Sequence, residues 1–255
     1  LEARLTGGEP LLRPDFEQLY LFARHLGLKV LIFTNARLIT ARLAALWSRV
    51  PPLVPIEVPI YGMHRESYEA VSRVPGSYAR ARRGVDLLLE HGVPFLVKGA
   101  LLPPNRAEVD EFEAWAGTVP WMTGPPSYSM FFDLRSRRDD EAKNALIASL
   151  RVTPQEGLAV LTRDEAGYRK DAAQFAEKFM GPAGDRLFVC GVAHGMSVDA
   201  YGFAQPCMGV RAPALTVDLR TLSLTDARAR FRDLPEMRAT NPEYLRRCAV
   251  CARSS

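Results

Sequence analysis

Residues 4–16 read RLTGGEPLLRPDF. A short apolar run ends at Leu5, Gly7-Gly8-Glu9-Pro10 follows, and Pro14 then opens a stretch of helical spacing. Phe16, Leu19, Tyr20, Ala23 and Leu26 recur at that spacing, as an amphipathic helix requires, and Gly27 supplies a stop. The stretch is therefore a strand-to-helix turn. Two adjacent glycines allow backbone conformations closed to other residues and let a ligand approach the main chain. Glu9 places a carboxylate at the strand end, where βα folds gather ligand groups. A carboxylate beside exposed backbone carbonyls suits an ammonium group. A tight turn with a solvated glutamate is the alternative.

The same alternation continues outward. The sequence predicts strands over 28–34, 54–62, 93–102 and 127–134, with helices over 38–50, 77–92 and 107–117. The strand runs are apolar on both faces, as parallel strands under helices should be. Five βα units result, and the candidate ligand loops are TGGEP, TNARL, YGMHRES and LLPPNR. Lys98 and Asn105 lie in and after the strand over 93–102, where either could face a site or serve the fold. Residues 153–181 read as helix with a polar face. Residues 196–207 read as a hairpin around Tyr201-Gly202, and 224–237 as a further helix.

Composition bounds the class. Of 255 residues, 47% are hydrophobic and 24% charged, enough for a sizeable core. The net charge of +4 is spread thinly. No basic stripe with interleaved aromatics appears, so nucleic acid is not an expected partner. No apolar run approaches the roughly 18 residues of a bilayer span, and the N-terminus does not read as a signal peptide. A soluble, cytoplasmic protein with no membrane association is the expectation. Cys190, Cys207, Cys248 and Cys251 all fall late in the chain. That clustering suggests a metal site rather than a disulfide framework. One tetrahedral zinc or reduced structural thiols would also account for four cysteines. His194 lies near Cys190, but a lone histidine is more often structural, as His25, His64 and His91 are expected to be.

LTGGEPLLRPDF resembles the Gly-Gly-Glu-Pro segment of radical S-adenosylmethionine (SAM) enzymes, at the same place after an early strand. IFTNARLIT resembles that family's TNG-x-LI segment, and residues 58–105 resemble the long segment that begins in its fourth strand. The resemblance covers residues 1–134 in order. It implies a partial (β/α)6 TIM-type barrel in an α/β chain. Gly7, Gly8, Glu9 and Pro10 would hold the methionine amino group of SAM, with Thr34 and Asn35 beside the cofactor. Two departures stand out. Pro59 occupies the place of a serine that binds the ribose in many relatives, and Ala36 stands where the family usually has glycine. The family's Cys-x3-Cys-x2-Cys motif for a [4Fe–4S] cluster is absent from the sequence. A longer parent chain whose first βα unit precedes residue 1 is one account, and a degenerate protein without the cluster is the other.

Eleven residues separate Cys190 from Gly202, four separate Gly202 from Cys207, and Cys248-Ala-Val-Cys251 follows after a gap. This resembles the SPASM extension of radical SAM enzymes, in which thiolates hold one or two auxiliary iron–sulfur clusters. The domain organisation so implied is a partial barrel over 1–150, a helical connection over 151–182 and a small cysteine-rich extension over 183–255. The activity implied is reductive cleavage of SAM to a 5′-deoxyadenosyl radical. That radical would modify a peptide or protein substrate by a thioether or carbon–carbon crosslink, with flavodoxin or ferredoxin as electron donor. A formylglycine-generating sulfatase maturase is a second enzyme reading. A non-catalytic βα scaffold with a structural metal is the reading from another class.

Overall fold

A computed structural model describes residues 1–129, 141–179, 184–188, 194–210, 212–247 and 249–250. The chain is α/β and divides into two compact units, Leu1–Val160 and Leu161–Ser255. The division falls inside the segment that the sequence reading sets apart as a helical connection.

The first unit alternates strand and helix. It runs β1 (Glu2–Leu5), α1 (Phe16–His25), β2 (Lys29–Ile32), α2 (Ala41–Arg49), β3 (Ile56–Ile60), α3 (Arg65–Ser72), α4 (Ser77–Glu90), β4 (Phe95–Ala100), α5 (Val109–Ala116) and β5 (Tyr128–Ser129). Then come α6 (Glu141–Ser149) and α7 (Pro154–Leu161). β1 pairs in parallel with β2, and β3, β4 and β5 pair in parallel in that order. A parallel bridge from Phe33 to Glu57 joins the two sets, with the Thr34 N–H donating to the Glu57 carbonyl at 3.1 Å. The strands thus lie side by side in chain order, as right-handed βα connections produce.

Strand alternation sorts the residues onto two faces. Val30, Ile32, Ile56, Val58, Ile60, Phe95 and Val97 are buried on one face. They pack with Phe16 and Tyr20 of α1, Trp47 of α2, Val85 and Leu88 of α4 and Phe112 of α5. The rings of Phe16 and Tyr20 both meet Trp47 edge-on, with centroids 6.3 and 6.5 Å apart. The Tyr20 hydroxyl donates to the Val50 carbonyl and ties α1 to the end of α2. The register places Glu2, Arg4, Lys29, Glu57, Pro59 and Lys98 on the opposite face.

Several expectations shift. The YGMHRES loop continues into α3, which buries Ser67 and Tyr68 and ends at Arg73 in the left-handed region, φ 56°. Its eight residues, with Pro75 close behind, give too short a periodic signal to read as helix. The expected helix over 153–181 is two helices. α7 ends at Leu161, and a new helix, α8 (Glu165–Phe179), begins where the Asp164 side chain accepts from the Gly167 N–H at 3.0 Å. Of the expected last strand, Tyr128–Ser129 is described, and 130–134 lie outside the described residues.

The second unit contains α8, a hairpin of β6 (Ser197–Val198) and β7 (Phe203–Gln205), β8 (Val217–Asp218), α9 (Leu224–Phe231) and α10 (Pro242–Arg247). β6, β7 and β8 form an antiparallel sheet. Gly202 turns the hairpin at φ 84°, a conformation that strains a residue with a Cβ. The sheet packs Ala204 and Val217 against Ala227, Phe231 and Leu234. α9 opens with a capping box between Ser223 and Asp226. It stops at Phe231, short of the expected 237, and Pro235 enters a 3-10 turn instead.

Candidate functional site

The site is built on loops at the C-terminal ends of β1, β2 and β3. Gly7 has φ 125°, which only glycine adopts freely. A Cβ added at Gly7 or Gly8 would meet no atom within 4 Å among the described residues, so the loop backbone stands open. Glu9 then turns back into the fold. Its Oε1 accepts from the Leu11 N–H at 3.1 Å and from Thr34 Oγ1 at 2.8 Å, and its Oε2 accepts from the Asn35 N–H at 2.8 Å. The carboxylate therefore caps its own 3-10 turn, Pro10–Leu12, and fastens it to the loop after β2. A carboxylate offers about four acceptor directions. Three are taken, and the remaining one, on Oε2, can meet an ammonium.

Thr34 and Asn35 thus join Glu9 in one network. Thr34 Oγ1 also accepts from the Ala36 N–H at 3.2 Å, and Asn35 Oδ1 accepts from the Arg37 N–H at 3.1 Å. Pro10 is buried under the turn. Ala36 is fully buried at φ 62°. A left-handed conformation costs an L-residue about 1–2 kcal/mol, so this loop is held by its surroundings. Part of that hold is α4: a Cβ at Gly84 would collide with the Ala36 carbonyl oxygen.

Pro59 sits in β3 with its side chain on the open face. Strand residues alternate the side to which their amides point. Glu57 bonds toward β2 and Ile56 toward β4, so the nitrogen of Pro59 points to the β2 side, beyond the Phe33–Glu57 bridge. Proline brings neither an N–H donor nor a hydroxyl there.

Residues that the sequence reading passed over complete the rim. Tyr61 follows β3, and Tyr68 lies on α3 with its ring 5.4 Å from that of Tyr61. Both feel the charges of Glu9 and Arg37. Burial pushes the Tyr61 phenol up, as does Glu9, while Arg37 pulls it down. Burial likewise pushes Tyr68 up. The Tyr68 hydroxyl and Arg37 Nε are buried and without a hydrogen-bond partner among the described residues. The sequence signal for Arg37 and Tyr61 was their place in the TNARL and YGMHRES loops, and Tyr68, on α3, had none.

Lys98 is on the open face, 3.3 Å from Glu57 Oε2. Asn105 serves the fold. It is buried, its Oδ1 accepts from the Leu102 N–H at 2.8 Å, and its amide donates to the carbonyls of Tyr61 at 2.8 Å and Ala100 at 2.6 Å. Cys207 is half-exposed just after β7 and carries a free thiol. Cys190, Cys248 and Cys251 lie outside the described residues. Among the described residues no group of three or more His, Cys, Asp or Glu side chains could hold a metal. No helix of the described residues is long and apolar enough to cross a membrane.

Residues 2–116, from β1 through α5, match the family model of the radical SAM superfamily. Particular relatives narrow the comparison. The chain is 28% identical over 138 residues to an AdoMet-dependent heme synthase of Methanosarcina barkeri (strain Fusaro / DSM 804), covering 54% of this chain and 38% of that protein. It is 30% identical over 100 residues to an AdoMet-dependent heme synthase of Oleidesulfovibrio alaskensis, covering 39% of this chain and 26% of that one. The matches thus span well under half the length of these curated relatives. By structure the chain resembles anSMEcpe with bound AdoMet, at a TM-score of 0.58 and 12% identity, over 99% of this chain and 72% of that one. A second structure of it, with bound AdoMet and the Kp18Cys peptide, gives 0.53 and 11%, over 92% and 69%. At these identities the structural likeness is one of fold.

Proposed function

We propose that this chain is the core of a radical SAM enzyme, a partial barrel that binds SAM at the rim of its parallel strands. The observation that carries the reading is the Glu9 carboxylate. It is held by Thr34, Asn35 and Leu11, keeps one acceptor direction free, and stands beside an open Gly7-Gly8 backbone within the matched segment. Gly7, Gly8, Glu9 and Pro10 receive the methionine ammonium, and Thr34 and Asn35 fix the carboxylate that does so. SAM, beside a reduced [4Fe–4S] cluster, supplies one-electron chemistry that removes hydrogen from a substrate. The protein's residues orient the cofactor and keep the Glu9 charge aimed at it. The Glu57–Lys98 face is the surface against which a substrate lies.

The hairpin at Gly202, followed directly by Cys207, supports a SPASM-like extension. There Cys190, Cys207, Cys248 and Cys251 ligate one or two auxiliary clusters. Such an extension favours a peptide or protein substrate and an electron donor such as flavodoxin or ferredoxin. A second reading, a haem-forming reaction, is favoured by the sequence match to the AdoMet-dependent heme synthases.

The test is SAM cleavage by the complete native polypeptide, after anaerobic reconstitution with iron and sulfide and reduction. We expect 5′-deoxyadenosine, and a loss of about tenfold or more in Glu9→Gln, roughly the strength of one charge-assisted bond. No product from a chain with a filled cluster would overturn the reading. Crosslinked peptide against haem, each offered as the product to be found, separates the two substrate classes.

A further inference from the structure

The second unit carries a cavity that the SAM site does not use. It is an open hollow of about 520 Å3 lined by His194, Thr225, Arg228, Ala229, Arg232 and Pro235, of which all but Pro235 are exposed. Four of these share one stripe of α9 and its C-cap. Thr225, Arg228, Ala229 and Arg232 stand at i, i+3, i+4 and i+7, which is a single helix face. The opposite stripe, Ala227 and Phe231, is buried in the core of the unit. The helix is thereby fixed in rotation, with its arginine stripe turned into the cavity. His194 and, from the following 3-10 turn, Pro235 complete the lining.

Two arginines of this hollow lack a carboxylate within 4 Å among the described residues, with Asp233 and Glu236 the acids that follow Arg232 in sequence. Arg186, Arg220, Arg238, Arg246 and Arg247 each have a carboxylate within 4 Å. Neither Arg228 nor Arg232 has one among the described residues. The nearest acid on the helix, Asp226, is held by the capping box with Ser223. Two like charges one helical turn apart repel each other and destabilise a helix. An anion between them removes that cost and meets two forks of N–H donors. The C-terminal end of α9 welcomes positive charge, but a single arginine would satisfy that.

We propose that this cavity binds the acidic side chains of a peptide segment, held between Arg228 and Arg232. Its volume falls in the range of ligand sites, roughly 300–1,000 Å3, and is far larger than one isolated oxyanion needs. Small-molecule sites are lined mainly by apolar and aromatic side chains. Here Ala229 and Pro235 are the only apolar members among the described lining residues, and no aromatic is present. A polar, arginine-lined hollow of this kind matches recognition of acidic motifs. The site lies in the second unit, whereas Glu9 belongs to the first.

The experiment is fluorescence anisotropy on the full chain with a fluorescein-labelled peptide of alternating Glu and Gly, against its Gln and Gly counterpart. Binding of the Glu peptide is expected to be at least about tenfold tighter and to weaken at high salt, as exposed charge contacts do. Arg228→Gln with Arg232→Gln should lose about tenfold, and Arg230→Gln, which lies off the stripe, less than about twofold. Far-UV circular dichroism reports whether α9 is kept. If the double Gln variant unfolds, Arg228→Lys with Arg232→Lys preserves charge and should still weaken binding, since lysine lacks the planar fork. Equal binding of the Gln peptide, an equal loss in Arg230→Gln, or an unchanged affinity in a folded double variant overturns the proposal. Binding of free tricarballylate without binding of the Glu peptide overturns it as well.

Discussion

At the scale of the residue, the site depends on contacts between side chains far apart in sequence. Glu9 meets Thr34 and Asn35 across 25 and 26 positions. The Gly-Gly-Glu-Pro pattern marks the loop, yet nothing in it says that the carboxylate will be spent on a neighbouring loop as well as on a ligand. Ala36 is the converse case. The sequence shows an ordinary alanine, and the structure makes it a buried left-handed residue whose carbonyl lies close against Gly84. Gly84→Ala should therefore destabilise the protein by about 1–3 kcal/mol, the usual penalty for overpacking, and weaken SAM binding through Asn35. Urea denaturation and isothermal titration with SAM check both. An unaffected denaturation midpoint would mean that α4 yields easily and that Ala36 is held by other neighbours.

At the scale of the element, the βα units were legible because their strands are apolar runs of a fixed length between turn signals. α3 was not legible, since its burial rests on just Ser67 and Tyr68. The break between α7 and α8 was hidden by continuous helix-forming composition around Asp164. Asn105 looked like either a site residue or a structural one, and its three bonds decide for the fold. Asn105→Asp keeps the acceptor for Leu102 but turns a carboxylate toward the Tyr61 and Ala100 carbonyls. We expect a loss of about 2–4 kcal/mol from two missing bonds and the unpaired groups left behind. A thermal melt equal to that of the native chain would refute the hub. In β8, Asp218 accepts from the backbone and the guanidinium of Arg220. The side-chain bonds, then the backbone bond, hold its carboxyl down at about 2, below the ordinary value of 3.8. A depressed folded-state value means the contribution is present above pH ~4 and is lost as the pH falls toward 2. The difference in melting temperature between native protein and Asp218→Asn should therefore shrink across that interval. A difference that stays constant would show that the pair adds nothing to the fold.

At the scale of the whole molecule, the two units have separate cores. Among the described residues the clusters of the first draw on positions up to Val160, and that of the second on positions from Phe188 to Leu234. Residues 1–160 expressed alone should thus give a helical spectrum and a cooperative melt, as a self-contained core allows. A fragment that shows no cooperative transition would mean that the core needs the rest of the chain. The parallel strands also have a consequence for selectivity. One of their faces is hydrocarbon under helices, and the other carries Glu57 and Lys98 in water. A molecule lying on that second face strips hydration from both ions and must return hydrogen bonds to them. An alkyl compound cannot do so, whereas a chain of amides or a carboxylated ring can. Two probes of equal size, one aliphatic and one carboxylated, should accordingly be retained by the SAM-loaded protein in that order of preference reversed: the carboxylated one firmly, the aliphatic one hardly at all.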